Sequence, residues 1–327
     1  MIVTLAPRAE LDAVRRELTA LGLWVSSVEK TREGEVFILV GKGSSAVESE
    51  RVEAIPGVRG VTLPASPHPK VDALGVEVDF GDGVVLSPHR PTLIAGPCSV
   101  ESEEAIVRIA GKLAERGVRI LRGGAFKPRT SPYAFQGKGR EALTWLRKAG
   151  DRFGMKVVTE VMSEQDVGVV AEHAEILQIG SRNMQNFALL RAAGKTKRPV
   201  LLKRSMSATI EEWLLAAEYV LSAGSPNVVF CERGIRGFDE STRNLLDLGA
   251  VALLAHVHKL PVIVDPSHAT GRRELVGPLA RAALSAGAVG VMIEVHDDPA
   301  HAESDGAQAL DPSALDGLLE NRNGGSA

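Results

Sequence analysis

The spacing of apolar positions changes period several times along the chain. Residues 2–5 form a short apolar run, after which Leu11, Val14, Leu18 and Leu21 recur at the spacing of one helix face that Gly22 would end. Residues 23–28 and 36–40 predict two strands around a polar turn at 31–34. A second short helix is expected over 46–54, capped by Ser44 or Ser45, and a last strand over 58–63 after Pro56-Gly57. The order strand, helix, strand, strand, helix, strand predicts a small ferredoxin-like α+β domain over residues 1–64. Residues 65–90 hold Pro67, Pro69, Gly75, Gly81, Gly83 and Pro88, the punctuation of a linker. Inside it, 76–80 and 84–86 read as a short hairpin that should cap the domain after it. From residue 91 to 327, apolar runs at 93–95, 118–121, 156–161, 176–179, 200–203, 228–230, 262–264 and 289–293 alternate with amphipathic stretches such as 103–116, 140–153, 210–222 and 242–258. Repeats of this kind over roughly 235 residues match a (β/α)8 TIM barrel, with a doubly wound open sheet as the alternative.

Composition narrows the class. With 327 residues, 44% of them hydrophobic, the chain can bury a large core, and a net charge of −3 argues against a general nucleic-acid binder. Two cysteines, Cys98 and Cys231, do not make a disulfide framework and fit a reducing compartment. The start MIVTLAPRAE lacks a signal-peptide pattern and no apolar run approaches ~18 residues, so a cytoplasmic protein without a membrane span is expected.

Candidate chemistry collects where the predicted strands end. The stretch LRGGAFKPRTSP places Arg122, Lys127, Arg129, Thr130 and Ser131 among glycines and prolines directly after an apolar run. Glycine allows close backbone approach, and arginine matches phosphate or carboxylate oxygens two at a time. Two cations ~6 Å apart at an effective dielectric of ~20 repel by roughly 3 kcal/mol, so three in eight residues, Arg122, Lys127 and Arg129, suggest a bound anion. Later strand ends carry Glu160, Arg182, Lys203, Glu232-Arg233, Asp265 with His268, and Glu294. In a barrel these ends converge on one face. Two sets then separate. Arg122, Lys127, Arg129, Arg182, Lys203 and Arg233 form an anion site sized for two phosphates or a phosphate and a carboxylate. Cys98, His268, Glu294 and Asp305 supply sulfur, imidazole and carboxylate donors that suit a borderline divalent ion rather than calcium.

The motifs LIAGPCSVES, RGGAFKPRTSP, TEVM, QIGSRNMQN, LLKRSM, CERG, DPSHATG, IEVH and SDGAQAL, spread over residues 92–310, resemble 3-deoxy-D-arabino-heptulosonate 7-phosphate (DAHP) synthase, and the first domain resembles the N-terminal ferredoxin-like domain of some short-chain members. That resemblance implies condensation of phosphoenolpyruvate with erythrose 4-phosphate, the first step of the shikimate route to aromatic amino acids. It implies one divalent metal (manganese, iron, zinc or cobalt) on Cys98, His268, Glu294 and Asp305. Phosphoenolpyruvate would lie on Arg122, Lys127, Arg182, Lys203 and Arg233. Erythrose 4-phosphate would lie on Lys127, Arg129 and Thr130, with Ser131 a helper across a subunit interface. Lys127 and Glu160 are the expected acid or water-orienting groups, and Asp265 is expected to orient the aldehyde hydroxyl or a metal-bound water rather than to ligate. The resemblance further implies a homotetramer with tyrosine or phenylalanine as feedback effector. The rivals are 3-deoxy-D-manno-octulosonate 8-phosphate synthase, which uses arabinose 5-phosphate, a Schiff-base aldolase built on Lys203, and a non-catalytic metabolite sensor.

Overall fold

The computed structural model describes the whole chain apart from residues 33, 42–43, 45–46, 128–130, 132, 134, 317 and 319–327. The sequence-predicted contacts of Arg129 and Thr130 fall outside the described residues. The chain divides into two compact units, Met1–Pro67 and His68–Ala327.

In the first unit, β1 (Ile2–Leu5), α1 (Leu11–Ala20), β2 (Val25–Lys30), β3 (Val36–Val40), α2 (Ser49–Glu53) and β4 (Val58–Thr62) follow one another in the predicted order. The antiparallel sheet runs β2-β3-β1-β4. Val3, Leu5 and Ile38 from the sheet bury against Val14, Leu18 and Val52 from the helices. Each helix supplies a single apolar stripe, enough to cover one sheet face.

The second unit opens with α3 (Pro69–Asp72), whose first amides, Lys70 N and Val71 N, donate to Glu218. β5 (Val78–Asp79) and β6 (Val85–Leu86) make the small hairpin. The barrel follows: β7 (Thr92–Gly96), α4 (Glu103–Ala114), β8 (Ile120–Arg122), α5 (Arg140–Phe153), β9 (Lys156–Glu160), α6 (Val167–His173), β10 (Ile176–Ile179), α7 (Phe187–Lys195), β11 (Val200–Lys203), α8 (Ile210–Ser222), β12 (Val228–Glu232), α9 (Leu248–Ala252), β13 (Val262–Val264), α10 (Pro266–Thr270), α11 (Arg273–Ser285) and β14 (Gly290–Glu294). Parallel pairing closes the ring, β14 returning to β7 through the register Ile293↔Ala95. The open-sheet alternative is excluded by that closure.

Period-two alternation sorts the strand side chains. Ile94, Ile120, Val158, Ile176, Leu201, Cys231, Ile263 and Met292 point inward and pack with Val78, Phe80, Val84 and Leu86 of the hairpin, which plugs the lower end of the barrel. Their neighbours Ala95, Leu121, Val157, Leu177, Leu202, Phe230, Val264 and Ile293 point outward into the helix layer. The predicted helix 242–258 is shorter than its pattern suggested. Residues 242–247 are irregular, with Asp247 capping α9 through Ala250 N, and Leu253–Val257 widens into a π-turn. Arg243 N and Asn244 N bond across to Thr270 O and Ala269 O, a tertiary anchor that competes with helix formation.

Candidate active site at the upper barrel mouth

Continuing the inward parity two residues past the apolar layer reaches Arg122, Glu160, Gln178, Lys203, Arg233, Asp265 and Glu294, one position per strand. Arg122, Lys203, Arg233, Asp265, Glu294 and Gln178 are buried, and with Lys127, Arg182, Arg243, His268 and Asp305 most of them line one cavity of about 210 Å³. A larger cleft of about 730 Å³ opens at the opposite strand ends beside the hairpin, but among the described residues no carboxylate-imidazole-thiol group converges there, so volume alone does not mark the chemistry.

Four side chains meet on one side of the mouth. Cys98, His268, Glu294 and Asp305 each offer a donor atom, and these atoms lie within 4.8 Å of one another. One sulfur, one nitrogen and two oxygens at that separation fit a single borderline divalent ion. Each donor is also held from behind. Asp265 caps α10, accepting from His268 N at 3.0 Å, and its Oδ2 accepts from His268 Nδ1 at 2.7 Å. The carboxylate fixes the proton on Nδ1 and leaves Nε2, 3.2 Å from Glu294 Oε1, free to ligate. Lys127 Nζ donates to Cys98 Sγ at 2.8 Å and to Cys98 O at 3.0 Å, while Cys98 Sγ donates to Asp305 Oδ2 at 3.0 Å. Arg122 Nη1 bonds Glu294 Oε1 at 2.6 Å.

The electrostatics follow from this packing. Burial, helped by Glu294, pushes the Cys98 thiol up to about 12 against the pull of Lys127 and Arg122. Burial lowers His268 despite Asp265 and Glu294, which keeps the imidazole neutral and able to bind a metal. For Glu294, burial works upward but is outweighed by the charges beside it, Arg122 and Lys127 among them, so it stays ionised. Asp265 is likewise held well below the usual carboxylate range, burial being overcome by His268 and Lys203.

The other side of the mouth is cationic. Lys203 Nζ pairs with Asp265 Oδ2 at 2.5 Å, so this buried aspartate serves lysine and histidine together. Arg182 sits on the turn Ser181–Asn183 after β10, exposed toward the cavity. Asn244, with its amide oxygen turned to Arg233, accepts from Nη1 at 3.1 Å. Glu160 accepts from Gln178 Nε2 at 3.1 Å, and a side chain at Gly180 would collide with that carboxylate. Ser131 is exposed beyond this cluster.

Three placements differ from a reading of strand ends alone. Glu232 faces away from the mouth: its Oε2 pairs with Arg204 Nη1 at 3.0 Å, and Arg204 also reaches Asp247 at 2.8 Å. Asp265 is spent on His268 and Lys203 instead of facing the cavity with a free edge. Gln178, Arg243 and Gln308 are site neighbours that motif reading passed over. Gln178 was accessible to the same parity that found Lys203; Arg243 and Gln308 lie on loops with no period to flag them.

Comparisons with known proteins agree with this geometry. A profile described as the DAHP synthetase I family matches residues 78–323. Phospho-2-dehydro-3-deoxyheptonate aldolase of Thermotoga maritima is 45% identical over 317 residues, 95% of this chain and 93% of that protein. A crystal structure of the Thermotoga maritima DAHP synthase superposes with a TM-score of 0.76 at 43% identity, covering 98% of this chain and 95% of that one. A truncated form from the same organism gives 0.70 at 48% identity, covering 76% of this chain and 90% of its own. A 2-dehydro-3-deoxyphosphooctonate aldolase from Rhizobium meliloti is 33% identical over 259 residues, 73% of this chain and 91% of that protein.

Proposed function

The chain belongs to the DAHP synthetase I family, and from that premise we propose that it condenses phosphoenolpyruvate with erythrose 4-phosphate and water to give DAHP and phosphate, opening the shikimate pathway. The observation that carries this is the shared mouth: a cation wall and a sulfur-nitrogen-oxygen cage face one cavity. The 45% relative matches 95% of this chain, whereas the octulosonate relative matches 73% of it at 33% identity, which favours the four-carbon acceptor.

Arg182, Lys203 and Arg233 hold the phosphate of phosphoenolpyruvate, and Arg122 with Lys127 hold its carboxylate. Desolvated anions of this kind need several donors at fixed positions. Erythrose 4-phosphate is assigned to Lys127, with Arg129, Thr130 and Ser131 as the further groups that the family resemblance implies. Cys98, His268, Glu294 and Asp305 would hold a divalent ion, which when bound would supply Lewis acidity for the aldehyde oxygen. C3 of the enol ether attacks the aldehyde carbon, and a proton reaches the new alkoxide from Lys127. Water oriented by Glu160 adds at C2, and phosphate departs with cleavage of its bond to C2. Asp265 takes no proton in this scheme; it keeps His268 in one tautomer and Lys203 in place. Manganese, iron, zinc and cobalt all accept this donor set.

A Schiff-base route through Lys203 is disfavoured because Nζ is held in the Asp265 ion pair rather than presented to a carbonyl. No helix of the described residues is long and apolar enough to cross a membrane; the cytoplasmic location is proposed from the family to which the chain belongs. The resemblance of the ferredoxin-like unit to the N-terminal domain of some short-chain members supports a regulatory role, with tyrosine or phenylalanine as effector, or an assembly role, and the same resemblance supports a homotetramer. A phosphate-release assay comparing erythrose 4-phosphate with arabinose 5-phosphate tests the reading. Release with erythrose 4-phosphate alone is expected; preference for the pentose would transfer the chain to the octulosonate reaction, and binding without release would leave a sensor.

A further inference from the structure

The motif that supplies Asp305 carries a second polar side chain three residues on. Gln308 is 3% exposed. Its Nε2 donates to Glu294 Oε2 at 2.6 Å, and its Oε1 accepts from Arg243 Nη1 at 3.4 Å. Arg243 Nη1 in turn lies 3.6 Å from Asp305 Oδ1. A primary amide donates at one end and accepts at the other, so a carboxylate on one side and a guanidinium on the other fix which way it faces. The path from Glu294 through Gln308 and Arg243 to Asp305 therefore joins two of the four donors of the cage from behind. The remaining two have their own supports, Asp265 on His268 and Lys127 on Cys98.

We propose that Gln308, backed by Arg243, is the positioning device that presents Glu294 and Asp305 to a divalent cation and sets the affinity of the cage. The inference rests on the reading of Cys98, His268, Glu294 and Asp305 as ligands. Glu294 is fully buried and could offer either oxygen. The amide holds Oε2, while Oε1, which also accepts from Arg122 Nη1 at 2.6 Å, is the oxygen turned to His268 Nε2, so the carboxylate meets a cation through Oε1. Asp305 needs support for a different reason. It lies in the left-handed region at φ 51°, on a loop whose carbonyls at Gly306 and Ala307 accept from Arg273. Such a conformation persists where the surroundings hold it, and Arg243 supplies the contact at the carboxylate itself.

The test uses the full chain, stripped of metal and titrated with cobalt(II), whose thiolate charge-transfer absorption reports on Cys98 independently of turnover. Gln308→Leu, close in volume but without either polar end, is expected to weaken cobalt(II) binding about 10- to 100-fold, with the metal-free protein melting within a few degrees of the unaltered chain. Arg243→Ala changes a half-exposed side chain that folding tolerates, and is expected to weaken binding roughly threefold or more. The double substitution should lose more than Gln308→Leu alone, since Arg243 also meets Asp305, but less than the two single losses combined, because Gln308 and Arg243 are bonded to each other. Cobalt(II) affinity within twofold of the unaltered chain in Gln308→Leu overturns the proposal. Should that variant not fold, unchanged affinity in Arg243→Ala overturns it instead. An unaltered chain that shows no thiolate band sinks the ligand assignment as well, a result distinct from equal binding by chain and variant.

Discussion

Cys98 is the candidate donor whose chemistry would set the terms of metal uptake. Its thiol is pushed up to about 12, first by burial and then by Glu294, so a metal must displace a proton to bind the sulfur. His268 is held neutral and Glu294 ionised, so neither releases a proton near neutrality. One proton released means affinity that rises with pH, by about tenfold per unit between pH 6.5 and 8.5. Cobalt(II) titrations at three pH values in that window check this, and a flat profile would remove Cys98 from the ligand set. Asp265→Asn tests the tautomer argument: losing the carboxylate behind His268 should reduce metal affinity about 10- to 100-fold, read by equilibrium dialysis. On the cation wall, Arg182 has no short carboxylate partner among the described residues and faces the cavity. Arg182→Ala is expected to raise KM for phosphoenolpyruvate by about tenfold or more, since a charged hydrogen bond contributes ~1.5–3 kcal/mol, while metal affinity stays unchanged.

At the scale of elements, strand parity explains both the site and its scaffold. Lys203 and Arg204 are adjacent, yet one points into the mouth and the other into the helix layer, where Arg204 joins Glu232, Asp247 and the carbonyl of Ala208. This triad, buried at Arg204 and Glu232 and partly exposed at Asp247, ties the ends of β11 and β12 to the start of α9, and thereby fixes the backbone from which Lys203 and Arg233 project. Removing one member leaves a buried charge without its partner, so Arg204→Ala should cost about 3–5 kcal/mol, measured by urea unfolding. At the other end of the barrel the hairpin acts as a stopper. Leu86→Ala, at a fully buried position, should cost about 2–5 kcal/mol and leave KM for phosphoenolpyruvate near its starting value. Much of this was legible beforehand: eight apolar runs, their spacing and the polar residue two positions past each inward apolar one are local facts. The outward turn of Glu232 was obscured because it and Arg233 are both charged at the same strand end, and only the apolar residues preceding them fix which one faces in.

For the whole molecule, the division at Pro67 and His68 makes the barrel unit separable in principle. A chain beginning at His68 keeps α3 and its Glu218 cap. It is expected to fold, to retain phosphate release and to be insensitive to tyrosine and phenylalanine; inhibition that survives the truncation would dismiss the first unit as the sensor. The sequence alone determined the two fold types, the order of their elements and the kinds of donor at each strand end, because helix and strand periods and residue chemistry are short-range properties. Tertiary structure alone decided which donors meet. Arg122 and Glu294 are 172 positions apart, and Cys98 and Asp305 are 207 apart, yet ring closure brings each pair into contact. It also decided that Asp265 serves His268 and Lys203 and that Gln308 reaches Glu294, since such pairings depend on distances through space that no local pattern encodes.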